Sequence, residues 1–376
     1  MIDTKVLFYI VLIVSLLFAY LSQGRSAMME NGDIRTNFRV FPFIISGLIP
    51  WYFLAFTDIG VDYPNYVQII SEIDLDNYNE MFFVESGFAL ASAILKVIFN
   101  DNIDTVLFVF KSFSIVLSFV SIYILRDKQN VCFSVFVYML LLYLPSFYLI
   151  SQAMAAAMVL LSIAIYYKTN KIVIPLAILI AGGFIHNSVF IFTPVAAVCH
   201  YLTITKLTRS KAILIMVGAI VLVAGASSLY GYAVSNISGF HYVNYGDNSF
   251  EGSGLFFFVK YLPLFYITKI VIEYESDMKN KVFIFVFVVA SALFNILSYK
   301  FRVIERMGFL LLSNYIFFLP IFIRNQKILM HKNLPYYSRM SVILLAYLCF
   351  IGYGVIEDRT SAGVDMDVYV YFNPFN

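Results

Sequence analysis

The chain has 376 residues, of which 61% are hydrophobic and 13% are charged. Soluble domains carry about 25% charged residues, so this composition excludes a soluble protein and predicts an integral membrane protein. The formal net charge is only +2, which gives no reason to expect a nucleic acid partner. The more useful signal is the side of the membrane on which each cation is predicted to lie.

Apolar runs recur along the chain, and they predict an all-α polytopic membrane protein with about twelve transmembrane helices. Helices are expected because backbone polar groups in lipid must be satisfied within their own segment. The first run has no convincing cleavage site and is interpreted as a span rather than a signal peptide. No inner loop is long enough for a soluble domain, so residues 1–376 are treated as a single integral membrane domain. The predicted spans are 5–22, 39–56, 104–125, 131–149, 152–167, 172–185, 188–203, 212–231, 255–273, 282–298, 308–323 and 340–356.

The cations in the short loops predict the orientation, because cytoplasmic loops carry an excess of Lys and Arg. One set of loops carries sixteen cations and is assigned to the cytoplasm, whereas the opposite set carries five. Both termini then lie outside, as an even number of spans requires. The five outer cations are Lys5, Lys300, Arg302, Arg306 and Arg359.

This orientation depends on the short run 85–100, which is more polar than the spans. We predict that it forms an interfacial or re-entrant helix on the outer face. If it crosses the membrane instead, the topology before residue 104 inverts. With the first assignment, the active-site face is expected to comprise the outer segments 57–103, 232–254 and 299–307 and the tail 357–376.

The segment 299–307 is an exception to the charge bias of the outer loops. Arg302 and Arg306 are four residues apart and share a face on a helix, and Lys300 adds a third cation. The planar guanidinium group forms paired, charge-assisted bonds with phosphate. We therefore predict an anion site for the diphosphate of a lipid-linked sugar. The alternative is that the arginines reach the membrane interface and pair with Glu305.

Three titratable side chains at the predicted outer face are candidates for acid–base chemistry. Asp62 follows the second span, Glu85 opens the short helix, and His186 lies at the junction of two short apolar runs. Such groups can accept a proton from a substrate hydroxyl. The alternatives are a solvated acidic loop for Asp62, a favourable helix-dipole contact for Glu85 and a helix turn for His186.

Charge and metal binding raise two further points. Lys111 lies about a third of the way into a predicted span, where a charge is costly and often functional. The three cysteines lie inside apolar runs without metal-ligand spacing. The run Asp74-Leu75-Asp76 spells a metal motif but lacks its context, so neither a metal nor a cofactor is predicted.

Four short motifs follow one another along the chain from about residue 50 onwards. Each motif alone has low specificity, and their order is more specific. They are Gly60-Val61-Asp62-Tyr63 with Tyr66, Glu85-Ser86-Gly87-Phe88, Phe184-Ile185-His186-Asn187-Ser188, and Arg306-Met307-Gly308-Phe309 with the aromatic tail Tyr371-Phe372-Asn373-Pro374.

In this order the motifs resemble those of the Wzy-type O-antigen polymerases and the similar EpsG family of bacterial exopolysaccharide proteins. There is one departure, where the family commonly has an Arg-Gln pair at the start of a span. Gln152 matches the second residue of that pair, whereas Ser151 replaces the arginine. Arg302 or Lys300 would then have to supply the missing phosphate-binding charge.

The resemblance implies a glycosyltransferase in the bacterial inner membrane that works on the periplasmic side, and the lack of a metal motif predicts that it is metal-independent. It would transfer a growing polysaccharide from undecaprenyl diphosphate onto the non-reducing end of a new lipid-linked repeat unit. Its expected partners are these lipid-linked glycans, membrane lipids and a chain-length regulator protein. Asp62, Glu85 or His186 would be the base, and Tyr63 and Tyr66 would stack on sugar rings.

Three other functions compete with a polymerase. A flippase or transporter for lipid-linked oligosaccharide would need polar residues in both membrane halves, whereas here they gather at the outer face. An O-antigen ligase would have a larger periplasmic loop late in the chain. A membrane acyltransferase would need an acidic partner near His186, and the local sequence offers none.

The anion site predicts the effect of one substitution. Arg306→Ala should abolish polymer formation while the protein still folds, because the diphosphate loses a charge that stabilises its departure. The measurement is the chain-length distribution of the polysaccharide. A wild-type distribution in this variant would contradict the assignment.

Overall fold

A computed structural model describes most of the first 208 residues and short stretches beyond them. The predicted anion site with Lys300, Arg302 and Arg306 lies outside the described residues, as do the outer segment 232–254 and the tail 357–376. The described residues are 4–28, 34–57, 62–79, 84–208, 210–215, 217–218, 221, 278–279, 281–283, 285–287, 289–290, 310, 315–317 and 320.

Helices dominate the described part of the chain, which confirms a helical membrane protein; the total of twelve spans stays a prediction. A helix occupies each of the seven predicted spans before residue 208, and most of the observed bounds lie within two residues of the predicted ones. In chain order the elements are α1 (Thr4–Ser22), β1 (Gln23–Met28), β2 (Ile34–Phe38), α2 (Val40–Ala55), α3 (Tyr63–Glu72), α4 (Ser86–Ile98), α5 (Ile103–Ile124), α6 (Val131–Tyr138), a π-helix (Met139–Tyr143), a 3-10 turn (Pro145–Phe147), α7 (Ile150–Thr169), α8 (Val173–Ile185), a second 3-10 turn (Asn187–Ile191) and α9 (Phe192–Thr205).

Three helical segments within the described residues are long and apolar enough to cross a membrane. They are α5, α7 and the continuous stretch 187–205, which joins the second 3-10 turn to α9. α7 is enclosed by its neighbours, and its residues Ala155, Ala156 and Ala157 are fully buried. Small side chains of this kind let helices approach closely inside a membrane. α7 is therefore the central helix against which α5 and α8 pack.

The predicted span 131–149 is not one continuous helix. α6 ends at Tyr138 and continues as a π-helix, and a 3-10 turn then begins at Pro145. Proline has no N–H and its ring clashes with the preceding helical turn, which explains the break. A new helix, α7, starts at Ile150, so that Ser151 and Gln152 lie in its first turn.

Three elements, β1, β2 and α3, lie where the sequence predicted loops. β1 and β2 form an antiparallel hairpin between α1 and α2, with Ala27 opposite Arg35. α3 lies within the acidic segment that follows α2, and Pro64 occupies its first turn, where a missing N–H is tolerated. α3 has a buried side that includes Tyr63 and Ile70.

The predicted short helix near 85–100 is present as α4. It has 13 residues and is therefore about 20 Å long, compared with about 30 Å for the hydrocarbon core of a bilayer. Its C-terminal end is attached to the end of α3 through Lys96, which is only 5% exposed. The Lys96 ammonium donates to the carbonyl oxygens of Ser71 and Ile73 at 3.1 and 2.7 Å and to Asp74 Oδ1 at 2.9 Å. That α4 does not cross the membrane stays a prediction.

The attachment of α4 predicts a stability effect. Lys96→Met should lower the free energy of unfolding by about 1–3 kcal/mol, because the buried Ile73 carbonyl loses a charged donor and the partly buried bond to the Ser71 carbonyl is lost. Loss of the ion pair with the exposed Asp74 adds little to this destabilisation, since surface ion pairs are weak. The measurement is the unfolding midpoint of the purified protein in detergent.

Lys171→Met is the matched control, because Lys171 is exposed between α7 and α8. It should leave the midpoint unchanged. An equal effect of the two substitutions would show that Lys96 does not attach α4 to α3.

Candidate active site

A close contact between the Glu85 carboxylate and the His186 ring forms the centre of the candidate site. Glu85 immediately precedes α4 and His186 immediately follows α8, so the two residues are far apart in the sequence. Glu85 Oε1 lies 2.6 Å from His186 Nδ1, and the two side chains are 19% and 11% exposed. The two motifs that contain these residues therefore meet in the fold.

A glycine permits this contact between α4 and α8. Gly87 lies in the first turn of α4 against Phe184 in the last turn of α8. A Cβ atom at Gly87 would lie 2.7 Å from Phe184 Cβ and 2.8 Å from the Phe184 carbonyl oxygen. Real Cβ atoms do not approach other atoms so closely, so a larger residue would separate the helix ends.

Glu85 is held in its ionised form. Burial alone would raise the pKa of this carboxyl, but its hydrogen bond and charge interaction with His186 act in the opposite direction. The backbone N–H groups of Glu85 and Asn187 also stabilise the carboxylate. Together these contacts outweigh burial and place the pKa of Glu85 below its ordinary value.

Two backbone hydrogen bonds fix the position of His186. Its backbone N–H donates to the Gly182 carbonyl at 2.9 Å, and its backbone carbonyl accepts from the Val189 N–H at 3.0 Å. Apart from the contact of Nδ1 with Glu85, neither ring nitrogen has a hydrogen-bond partner among the described residues. Nε2 is thus a buried polar atom whose hydrogen-bonding capacity is unused in this part of the structure.

A second polar contact joins α3 to the start of α7. The Tyr66 hydroxyl lies 3.1 Å from Ser151 Oγ and accepts from the Ser151 N–H at 3.3 Å. Burial raises the pKa of Tyr66; the hydrogen bonds of Ser151 lower it, and the negative charges of Asp62 and Glu85 raise it further. The two carboxylates thus favour the neutral form of the Tyr66 hydroxyl. Gln152, the next residue of α7, is only 2% exposed.

The start of α3 carries the other two predicted site residues. Asp62 occupies the cap position of α3, and its side chain makes no capping hydrogen bond with the helix. Tyr63 is buried; its hydroxyl donates to Asp104 Oδ1 at 3.0 Å, and its ring faces the Lys111 ammonium at 4.8 Å. In this arrangement Tyr63 is a packing residue of α3, and its role in sugar binding stays a prediction.

Six of the nine predicted site residues thus belong to four neighbouring elements. These elements are α3, α4, α7 and α8, and the six residues are Asp62, Tyr63, Tyr66, Glu85, Gln152 and His186. The other three, Lys300, Arg302 and Arg306, lie outside the described residues, and what any of the nine does in catalysis stays a prediction.

Sequence reasoning did not anticipate several of the contacts that build the site. It considered Lys111 only as a costly charge, and it gave no role to Ser151, Asp104 or Gly87. A glycine after an acidic helix start was the available signal for a close approach. Within the residues that the structure describes, no group of three His, Cys, Asp or Glu side chains could hold a metal ion.

The comparison with protein families places this chain in a known family. The model of the EpsG family matches residues 40–372, which is most of the chain. The chain belongs to the EpsG family. This confirms the resemblance to an EpsG-like family of polysaccharide polymerases. No curated protein and no solved structure is a significant match.

The sequence motifs up to Phe372 lie within the range that the EpsG family model matches. The matched range includes Asp62, Glu85 and His186 as well as the basic segment 299–307. The contact between Glu85 and His186 therefore lies inside the range that the family model matches.

The close approach at Gly87 predicts how a small change would affect the site. Gly87→Ala should lower activity strongly, because its methyl group would push the start of α4 away from α8 and lengthen the contact between Glu85 and His186. The readout is polymer formation in cells, compared at equal protein levels.

Gly182→Ala is a matched control on α8. Its Cβ atom would lie 3.3 Å from Val189 Cγ1 and 3.4 Å from Met158 Cβ, which is much less crowded than the contact of Gly87 with Phe184. It should have a smaller effect than Gly87→Ala. If the two variants were equally active, the contact of α4 with α8 would not be what positions Glu85.

Proposed function

We propose that this EpsG family protein is a polysaccharide polymerase of the O-antigen polymerase type. It transfers a growing glycan from undecaprenyl diphosphate onto the non-reducing end of a new lipid-linked repeat unit. Membership of the EpsG family supports a polymerase-like glycosyltransferase in broad terms. The observation that carries the more specific proposal is the buried pair of Glu85 and His186.

The proposed chemistry requires a base for the acceptor hydroxyl. If His186 Nδ1 donates to Glu85, then Nε2 carries the lone pair and can accept the hydroxyl proton. The acceptor oxygen forms the new bond to the anomeric carbon, and the bond from that carbon to the diphosphate oxygen breaks. Glu85 fixes the orientation of the ring and stabilises the imidazolium that forms, a role in which a carboxylate partner is effective.

The departing diphosphate takes up the negative charge of the broken bond. We assign its stabilisation to Arg302 and Arg306, with Lys300 as a further cation, from their sequence pattern. No step of this proposal requires a metal ion or another cofactor. The site would face the periplasm from the bacterial inner membrane, and a chain-length regulator would be a partner.

The remaining site residues receive supporting roles. Asp62 and Tyr66 lie on α3, which faces the first turn of α7, where Gln152 is located. We propose that Asp62 and Gln152 hydrogen-bond to sugar hydroxyls of the acceptor. The Tyr66 hydroxyl already bonds to Ser151, the residue that replaces the family's arginine, and so maintains the polar surface at that position.

One alternative gains support from the structure. An acidic partner for His186 does exist, because Glu85 lies 2.6 Å away, so the sequence argument against a membrane acyltransferase was wrong. Family membership is what favours a polymerase over an acyltransferase. Flippases and ligases for lipid-linked glycans are distinguished from it by the products that accumulate.

Substitutions of Glu85 and His186 test the proposal. His186→Gln removes the proposed base, and Glu85→Gln removes the carboxylate that orients it and stabilises the imidazolium. Each should therefore lower the polymerisation rate at least about a hundredfold. The measurement is the rate of chain extension on lipid-linked repeat units in membranes that contain the variant. Normal rates in both variants would contradict the proposed base.

Glu72→Gln is the matched control for loss of a carboxylate. Glu72 is exposed at the end of α3, and its carboxylate accepts a hydrogen bond from Gln68, one helical turn away. It should retain the wild-type rate.

Deletion of the gene separates the competing functions. A polymerase deletion should leave lipopolysaccharide that carries a single repeat unit in place of a ladder. Loss of every capped species, with accumulation of lipid-linked units, would instead indicate a flippase or a ligase.

A further inference from the structure

A buried lysine lies beside the candidate site and has no role in the proposed chemistry. Lys111 is on α5, one of three helical segments in the described part of the chain that are long enough to span a membrane, and it is 1% exposed. A charge at such a position is expensive and is retained where it interacts with other groups. Its neighbours therefore indicate what it does.

Lys111 contacts the chain on both sides of Asp62. Its ammonium donates to the carbonyl oxygen of Thr57, just beyond the end of α2. It also lies 4.8 Å from the centre of the Tyr63 ring, at the start of α3. A cation over an aromatic face in a desolvated site is a substantial attraction.

α5 holds Tyr63 at a second point. The Tyr63 hydroxyl donates to Asp104 Oδ1, and Asp104 lies seven residues before Lys111 on α5. Residues seven apart are two turns apart on the same face of a helix. This face of α5 therefore contacts both the ring and the hydroxyl of Tyr63.

The orientation of α3 follows from these contacts. Asp62 is covalently attached to Tyr63, and Tyr66 lies one turn further along α3, where its hydroxyl meets Ser151 on α7. A shift of Tyr63 would move Asp62 and Tyr66 relative to Gln152 and the start of α7. Displacements of about 1 Å are enough to impair substrate positioning.

We propose that Lys111 is a positioning residue, which holds the start of α3 so that Asp62 and Tyr66 face the acceptor sugar. Its assignment to acceptor binding rests on the proposed polymerase function. Lys111 itself does not contact the reacting atoms. It acts through Tyr63 and the Thr57 carbonyl.

The first test measures the contact without any activity. Lys111→Met is introduced into three backgrounds: the wild type, Tyr63→Phe and Tyr63→Leu. In each background the unfolding midpoint is measured with and without Lys111→Met. Because Phe keeps the aromatic face and Leu removes it, Lys111→Met should destabilise the Phe protein as much as the wild type and the Leu protein much less. Equal destabilisation in all three backgrounds would overturn the contact through Tyr63.

The second test measures catalysis with a lipid-linked repeat unit extracted from the deletion strain. Lys111→Met should raise KM for this acceptor about tenfold and leave kcat within about threefold, since the pair of Glu85 and His186 is untouched. A loss of folded enzyme would have the opposite pattern, with reduced kcat and unchanged KM. That pattern, or wild-type kinetics, would overturn the positioning role.

Two controls make the outcomes distinguishable. Trp51 is the only tryptophan of the chain and its indole N–H donates to Ser112 Oγ, next to Lys111, so its emission reports whether α2 still packs on α5. Ser118→Ala changes another buried polar residue of α5 and should retain the wild-type KM. If the wild-type protein makes no polymer, the proposed function fails, and the unfolding cycle still decides the contact between Lys111 and Tyr63.

Discussion

The approach of α4 to α8 is the contact on which the candidate site depends. A carboxylate and an imidazole from distant parts of the chain share a poorly solvated position, and each would be unfavourable there without the other. The contact is possible because Gly87 presents no side chain to Phe184. Backbone N–H groups at the start of α4 and after α8 complete the environment of Glu85. The chemistry of the site therefore follows from packing between two helix ends.

Most polar groups of the site lie at or near helix ends, and α8 is apolar beyond its end. The break at Pro145 starts α7 at Ile150, so Ser151 lies in its first turn and can meet Tyr66. Helix ends have backbone groups without intrahelical partners, and these groups can satisfy nearby side chains. A membrane protein can in this way bring hydrogen-bonding groups together at neighbouring helix ends, while the middle of a spanning helix stays compatible with lipid.

Helix positions could be predicted from the sequence because the length of an apolar run can be read directly from consecutive residues. The predicted spans before residue 208 correspond to helices, and α4 was anticipated as a short helix. α3 was missed because its acidic surroundings concealed a short amphipathic segment, although Pro64 after Asp62 was a helix-start signal. The hairpin of β1 and β2 was missed because Gln23–Met28 shows no alternation of apolar and polar residues.

The pairing of Glu85 with His186 could not be read from sequence, because it depends on which helix ends become neighbours. Each residue had a sufficient local explanation: Glu85 as a favourable charge at a helix start, His186 as part of a turn. Only the fold shows that the two local explanations describe one contact. Lys111 differs from this pair, because the sequence alone marks a charge inside a predicted span as costly. The structure then gives its partners, the Thr57 carbonyl and the Tyr63 ring. An unexplained buried charge is therefore a useful sequence marker for a constrained region, and here that region is the start of α3, beside the candidate site.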